Sequence, residues 1–234
     1  MKHKPMSLKL PRLDATKQLI VLIIIGLTVQ LLCRYYGPYF VIWDSFNLIA
    51  FVLRLVALPL IAKFVFGWRF KELGLGKPTM SKAWLIFLGI YVVSVPIVML
   101  LILSNDSYQE YYDFYTNPHI SVAARLSRFG LFTLSTFFGW AFLHRGFLLF
   151  GLKKILNSSF TIVENHASTI SILWVASFEV LYHLIKPDLE AFGMLIASPI
   201  FSLIAIRTRS LWIPTLCHLY IEALFILYLI FLVP

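Results

Sequence analysis

The sequence predicts an all-α polytopic membrane protein, a bundle of about seven transmembrane helices. Hydrophobic residues make up 60% of the 234 residues, charged residues only 13%, and the mean hydropathy is +0.85. No water-soluble domain has this composition. The long apolar stretches do not alternate as barrel strands would. Since an unpaired backbone amide in lipid costs several kcal/mol, these stretches are expected to be helices.

The predicted spans organise the chain into a basic N-terminus at residues 1–17 and a single transmembrane domain at residues 18–234. No internal repeat, low-complexity tract or soluble domain interrupts them. The polar interval at 104–128 is rich in Tyr and is interpreted as an interfacial loop, and residues 74–78 predict a turn between the second and third helices. The spans lie at about 18–37, 45–66, 83–103, 128–151, 168–185, 191–206 and 211–232.

The net charge of +9 is interpreted as topological rather than as a nucleic-acid surface. The Lys and Arg residues form short clusters between apolar stretches, and most of them fall on one side if the N-terminus is cytoplasmic. We therefore expect a multi-pass cell-membrane protein with its C-terminus outside, in contact with lipid headgroups. Cys33 and Cys217 both lie in apolar stretches, and their spacing predicts neither a metal site nor a disulfide framework.

Five ionisable residues in the last four spans are the candidate catalytic residues. Each costs about 2.5–3.5 kcal/mol at the bilayer centre, so such residues usually line a cavity or pair with each other. They are Arg145, Glu179, His183, His218 and Glu222.

Their spacing indicates acid–base chemistry. Glu179 and His183 are four residues apart, as are His218 and Glu222, so each acid shares a helix face with an imidazole. A carboxylate beside a histidine orients the ring and raises its basicity, as the activation of a water molecule requires. We expect the two pairs to converge on one cavity, which requires the turn after His183 to enter the membrane.

Structural alternatives remain open for each residue, and they are weakest for His218 and Glu222, because an acid well inside the last span has no nearby exit to water. Arg145, beside His144, is near a predicted span end, where its side chain can extend to the headgroups. His183 is close to a polar turn and fits an interfacial histidine, and Glu179 fits a hydrogen-bonding residue between packed helices.

Three motifs follow one another in the second half of the chain. They are residues 142–149 (FLHRGFLL), residues 181–184 (LYHL) and residues 207–214 (RTRSLWIP), the last leading to His218. In this order they resemble the three motifs of the CPBP (or Abi) family of intramembrane proteases, which includes the CAAX prenyl-protein endopeptidases and bacteriocin-processing or immunity proteins. The first is similar to the Arg-Gly end of the family's Glu-Glu-x-x-x-Arg motif, the second resembles its Phe-x-x-x-His motif, and the third resembles its final histidine motif. The resemblance covers about 125–232.

The resemblance implies a helical bundle in which a first-motif glutamate, assisted by histidines, activates water against a peptide bond. An Asn or Asp four residues after the last histidine contributes to an oxyanion pocket. The implied substrate is a membrane-associated or prenylated peptide or protein, and the resemblance implies no cofactor.

The sequence departs from this pattern at the acidic positions. Where the family has its Glu pair, this chain has Trp140 and Ala141, and Glu179 replaces the motif phenylalanine. Glu222 replaces the final Asn or Asp. Either the base has moved to Glu179 or Glu222, or the fold persists without proteolysis. Geometry favours lost activity, because a displacement of about 1 Å can cost on the order of a hundredfold in rate.

Three hypotheses follow. The first is a CPBP-family endopeptidase homologue, or its pseudoenzyme, that cleaves a membrane-proximal peptide bond if it is active. The second is a non-enzymatic binding or immunity protein that retains the protease fold and holds a membrane peptide or partner helix. The third is a metal-binding or proton-handling protein, since two His and two Glu suit Zn²⁺, although no His-Glu-x-x-His motif is present.

Overall fold

A computed structural model describes residues 14–43, 45–81, 112–159, 166–184, 186 and 188–232, together with residue 110 and short pieces between 84 and 96. The described part is mostly helical. Its long helices are α1 (Ala15–Tyr35), α2 (Leu48–Ala50, Phe51–Ala57 and Leu58–Phe64 in succession), α3 (Val122–Phe132, Thr133–Phe137, Phe138–Ala141, Phe142–Phe150 and Gly151–Ser159 in succession), α4 (Ala167–His183), α5 (Asp188–Thr208) and α6 (Trp212–Phe231).

Four of these helices are long and apolar enough to cross a membrane. They are α1, most of α3 (Val122–Ser158), most of α5 (Glu190–Thr208) and α6. This confirms a multi-pass membrane protein, whereas the count of seven spans and the orientation of the termini stay predictions. The predicted third span at 83–103 lies for the most part outside the described residues.

Helix α3 begins at Val122, so the prediction of an interfacial loop as far as residue 128 was wrong. The Ser121 hydroxyl caps the helix by accepting the Ala124 N–H at 3.2 Å. Arg125, which argued for a loop, is buried in the first turns of the helix. Its Nη1 donates to the Tyr115 carbonyl oxygen at 2.7 Å, so the buried guanidinium has a backbone acceptor inside the protein.

The middle of α3 is the core of the bundle. Every residue from Gly139 to Leu149 is buried, as expected for a helix surrounded by others. Two stretches, Thr133–Phe137 and Phe142–Phe150, have π-helical geometry, which is found most often at functional sites. Helices α1, α2, α4 and α5 all contact this part of α3. The chain therefore places its first sequence motif, residues 142–149, at the centre of the fold.

The predicted turn at residues 74–78 is confirmed, and it fixes the connection between α5 and α6. Gly74 has a φ of 77°, which favours glycine, and its carbonyl oxygen accepts the Leu211 N–H at 2.9 Å. The Thr79 N–H donates to the Thr208 carbonyl oxygen at 2.8 Å. The third sequence motif is thus held against the loop that follows α2.

A salt bridge ties the same loop to α3. Lys154 Nζ lies 2.7 Å from Glu72 Oε1. The hydrogen bond from Lys154 holds the pKa of the Glu72 carboxyl below its usual value.

Replacing Gly139 with alanine tests the close approach of α2 to α3. A Cβ at this position would lie 2.7 Å from Arg54 Cβ, whereas a Cβ at Gly130 on the same helix would have nothing within 4 Å. Both variants gain the same helix propensity. We expect Gly139→Ala to be about 1–3 kcal/mol less stable than Gly130→Ala in detergent unfolding. Equal stability of the two variants would contradict the packing described.

Candidate functional site

The site is built around the buried carboxylate of Glu179 on α4, which is 0% exposed. Arg145 Nη1 and Nη2 on α3 donate to Oε1 and Oε2, each at 2.9 Å. Trp140 Nε1, one turn earlier on α3, donates to Oε1 at 3.0 Å, and the Ser198 hydroxyl on α5 donates to Oε2. One carboxylate therefore joins three helices, which is the role of a hydrogen-bonding residue between packed helices.

These donors use the full accepting capacity of the carboxylate. An ionised carboxylate has about four lone-pair sites, and four side-chain donors occupy them here. The bidentate arginine fixes the plane of the group as well as its charge. Burying such a pair costs desolvation free energy, which the attraction between the charges offsets only when the remaining hydrogen-bonding positions are also satisfied. For the Glu179 carboxylate they are satisfied.

Trp140 lies between two charged residues. Its indole N–H points to Glu179, and Arg54 Cζ on α2 lies 5.1 Å from its ring centroid. Arg54 is 1% exposed and donates Nη2 to Gln30 Oε1 at 3.1 Å. Among the described residues no carboxylate forms an ion pair with Arg54. The tryptophan thus fills the position where the resemblance places a glutamate, next to a buried cation.

His183 is attached to the same centre through the backbone. Its Nδ1 lies 2.7 Å from the Glu179 carbonyl oxygen, so this nitrogen carries the proton and Nε2 is the acceptor. Its ring meets the Trp140 ring edge to face, with centroids 5.6 Å apart. The side chain is buried. The carboxylate of Glu179 is directed away from His183, toward Arg145.

His218 and Glu222 form a second pair on α6. The His218 Nε2 and Glu222 Oε1 atoms are 3.7 Å apart, and the two side chains are 12% and 20% exposed. The His218 ring stacks on Phe201 of α5 with centroids 5.4 Å apart, and Arg145 Cζ lies 5.4 Å from the same Phe201 centroid. In the described part of the chain, no hydrogen bond or ion pair joins this pair directly to Glu179 or His183.

The structure therefore brings the five predicted residues together to different degrees. Arg145 and Glu179 are in direct contact, and Arg145 is buried rather than extended to the headgroups. His183 is linked to Glu179 through a backbone carbonyl, and His218 is linked to Arg145 through one aromatic ring. Convergence of both acid–histidine pairs on one cavity stays a prediction.

Three residues of the site were not predicted from the sequence. His144 is fully buried, with Nδ1 3.0 Å from the Trp140 carbonyl oxygen and 3.8 Å from Glu179 Oε1. Arg54 carries the same signal as the predicted residues, a charge inside a span, but it lies outside the last four spans. Ser198 carries no signal, since serines are common between membrane helices.

The described residues offer no preformed metal centre. No group of three or more His, Cys, Asp or Glu side chains among them is arranged to hold a metal ion. The acidic groups instead take part in pairs, with Arg145 for Glu179 and with His218 for Glu222.

Fold and site together define a helical membrane protein with a buried charged centre formed by residues from its second half. Residues 142–224 match the family model described as Type II CAAX prenyl endopeptidase Rce1-like. The predicted CPBP resemblance is thereby confirmed, and the matched segment contains all five predicted site residues. It covers about a third of the chain and starts directly after Ala141. No curated protein and no solved structure matches the chain.

Replacing Glu179 with glutamine tests the buried ion pair. The variant leaves the Arg145 charge uncompensated in the core, so we expect a loss of about 3–5 kcal/mol in the free energy of unfolding. Glu72→Gln, which breaks a partly exposed pair with Lys154, serves as the matched control and should cost no more than about 1 kcal/mol. The double variant Arg145→Met, Glu179→Met removes both charges.

Detergent unfolding of the three variants measures these losses. The double variant should be more stable than Glu179→Gln, since no buried charge is left without a partner. A Glu179→Gln protein as stable as the Glu72→Gln control would show that the Arg145 contact contributes nothing.

Proposed function

We propose that this protein is a CPBP-type membrane protein that binds a membrane-associated peptide or partner helix. It does not hydrolyse the peptide through the glutamate-activated water that the family resemblance implies. The observation that carries the proposal is the complete use of the Glu179 carboxylate by Arg145, Trp140 and Ser198.

A general base must approach the attacking water to about 2.6–3.2 Å and accept its proton. Glu179 is fully buried, and each of its oxygens already accepts two side-chain donors. A water could reach it only by displacing Arg145, Trp140 or Ser198. Glu179, one of the two acids that could replace the missing first-motif glutamate, is therefore a poor base in this geometry.

The positions where the resemblance places the catalytic acids support the same proposal. Trp140 and Ala141 are 7% and 3% exposed, and neither side chain can take a proton from water. The indole of Trp140 also contacts the rings of His144 and Tyr182, with centroids 4.0 Å and 4.6 Å apart. The Trp140 ring therefore packs against His183 at the position where the resemblance implies an acid.

A second candidate function is peptide hydrolysis through the His218–Glu222 pair. The 3.7 Å approach of imidazole to carboxylate is the observation in its favour. The pair is also less buried than Glu179, and Glu222 lines a cavity. In this candidate the carboxylate orients His218, which acts as the base.

Trp140→Glu tests whether the first-motif position alone separates this chain from an active endopeptidase. Arg54 lies beside the new carboxylate and has no acidic partner among the described residues, so its charge favours folding of the variant. We expect the variant to cleave a membrane-proximal peptide that the wild type leaves intact. Trp140→Gln, of the same size without the charge, is the control.

Cleavage is measured with the purified full-length chain in nanodiscs and a fluorogenic peptide carrying a lipid anchor. A folded Trp140→Glu variant without any cleavage would remove the support for an ancestral catalytic cavity. Wild-type cleavage at a rate that Trp140→Gln does not change would contradict the proposed loss of activity.

His218→Ala separates the two candidate functions. We expect it to stay folded and to keep its peptide binding, because in the proposed function the ring packs with Phe201 and Phe137 and pairs with the partly exposed Glu222 but takes no part in binding. If hydrolysis depends on the pair, the variant loses the activity by about 10²-fold or more while it stays folded. Glu222→Gln should then give the same loss, measured in the same peptide assay.

A further inference from the structure

A cavity of about 770 Å³ lies at the membrane end of the bundle where α1 and α4 end and α3 begins. It is separate from the Glu179 centre, although Glu222 forms part of its wall. Its volume is that of a small-molecule site. The walls come from the end of α1, the short antiparallel hairpin that follows it (Val41–Ile42 paired with Phe46–Asn47), the segment before α3, and helices α3 and α6.

Exposed aromatic residues place this end at the level of the lipid headgroups. Tyr35, Tyr36, Tyr39 and Trp43 follow one another at and beyond the end of α1 and are 66%, 53%, 81% and 71% exposed. Amphipathic aromatic rings concentrate at the membrane–water interface, where one edge meets water and the other meets acyl chains. The mouth of the cavity is therefore at the depth of lipid phosphates.

Two arginines in the cavity wall are held by aromatic faces. Arg128 Cζ lies 3.8 Å from the Phe114 ring centroid, and Arg34 Cζ lies 5.4 Å from the Tyr182 centroid. Stacking uses the face of a guanidinium and leaves its N–H edge for an anion. Neither arginine has an ion-pair partner within the described part of the chain.

The other charged groups of the wall are accounted for differently. Lys186 forms a salt bridge with Glu190, so its charge is already balanced. Asp113 is exposed at the rim, and Glu222 is paired with His218. Arg34 and Arg128 are therefore the cations of the wall that have no ion-pair partner among the described residues.

Apolar side chains continue from the arginines along the cavity wall. They come from the hairpin, from the first turns of α3 and from α6, and they are Val41, Phe129, Phe132 and Ile226. A free anion gains nothing from such a surface. In a phospholipid, the phosphodiester can bind the arginines while the acyl chain contacts the apolar wall.

We propose that this cavity binds the phosphodiester headgroup of a membrane phospholipid, with Arg34 and Arg128 contacting the phosphate and the apolar wall contacting the start of an acyl chain. The lipid site does not depend on whether the chain cleaves peptides.

The experiment titrates the purified full-length protein in detergent with dihexanoyl phosphatidylglycerol, inorganic phosphate and dihexanoylglycerol, and follows intrinsic tryptophan fluorescence. The wild type should bind the phospholipid saturably and at least tenfold more tightly than either of the other two probes. Arg128→Gln should weaken phospholipid binding by roughly tenfold to a hundredfold, because a charge-assisted contact is lost. Arg34→Gln provides a second, independent variant, and Arg128→Lys should restore part of the affinity.

Arg207→Gln is the matched control, since it removes one exposed arginine from the other end of the bundle, at the last turn of α5. It should bind the phospholipid as the wild type does. Inorganic phosphate bound as tightly as the phospholipid would overturn the lipid assignment in favour of a free-anion site. Equal binding of dihexanoylglycerol, or equal affinities of Arg128→Gln, Arg34→Gln and Arg207→Gln, would overturn the role of the arginines.

Discussion

The bidentate contact between Arg145 and Glu179 is the interaction on which the middle of the bundle depends. Both charges are buried in a membrane protein, where neither is tolerated alone, so each residue requires the other. Arg145 is on α3 and Glu179 on α4, and Ser198 of α5 donates to the same carboxylate. Pairing of the buried charges therefore also holds these three helices against one another. In the proposed function the same contact also limits the chemistry, because an acid that joins three helices is not available to a water molecule.

Trp140 extends this centre toward α2. Its indole donates to Glu179 and its ring lies against Arg54, so the centre holds two arginines and one carboxylate, which leaves an excess of positive charge. A carboxylate in place of Trp140 would balance the second arginine. The family resemblance places a glutamate at that position, and the contact with Arg54 gives a physical reason for an acid there. In this chain the buried cation lies beside an aromatic ring at the position where the resemblance implies an acid.

Much of this architecture was predictable from the sequence, because lipid imposes simple rules. Apolar length predicted the four helices that are long and apolar enough to cross a membrane, and the argument that lipid excludes unpaired charges identified Arg145 and Glu179, which do pair. The sequence pattern could not predict which acid pairs with which cation. The spacing of four residues on one helix favoured a contact between Glu179 and His183, whereas the Glu179 carboxylate pairs with Arg145 on another helix. The start of α3 was misplaced because Arg125 is satisfied by backbone carbonyls that no sequence pattern reveals.

If Glu179 is a structural ion-pair partner, its carboxylate is closed to water. An experimental density map of the protein in a nanodisc, at a resolution that shows ordered water, measures this most directly. Arg145, Trp140 and Ser198 should occupy both carboxylate oxygens, and no water should lie within about 3.2 Å of either. An ordered water on Glu179, with the Trp140 indole turned away from it, would show that the carboxylate is open to water and available as a base.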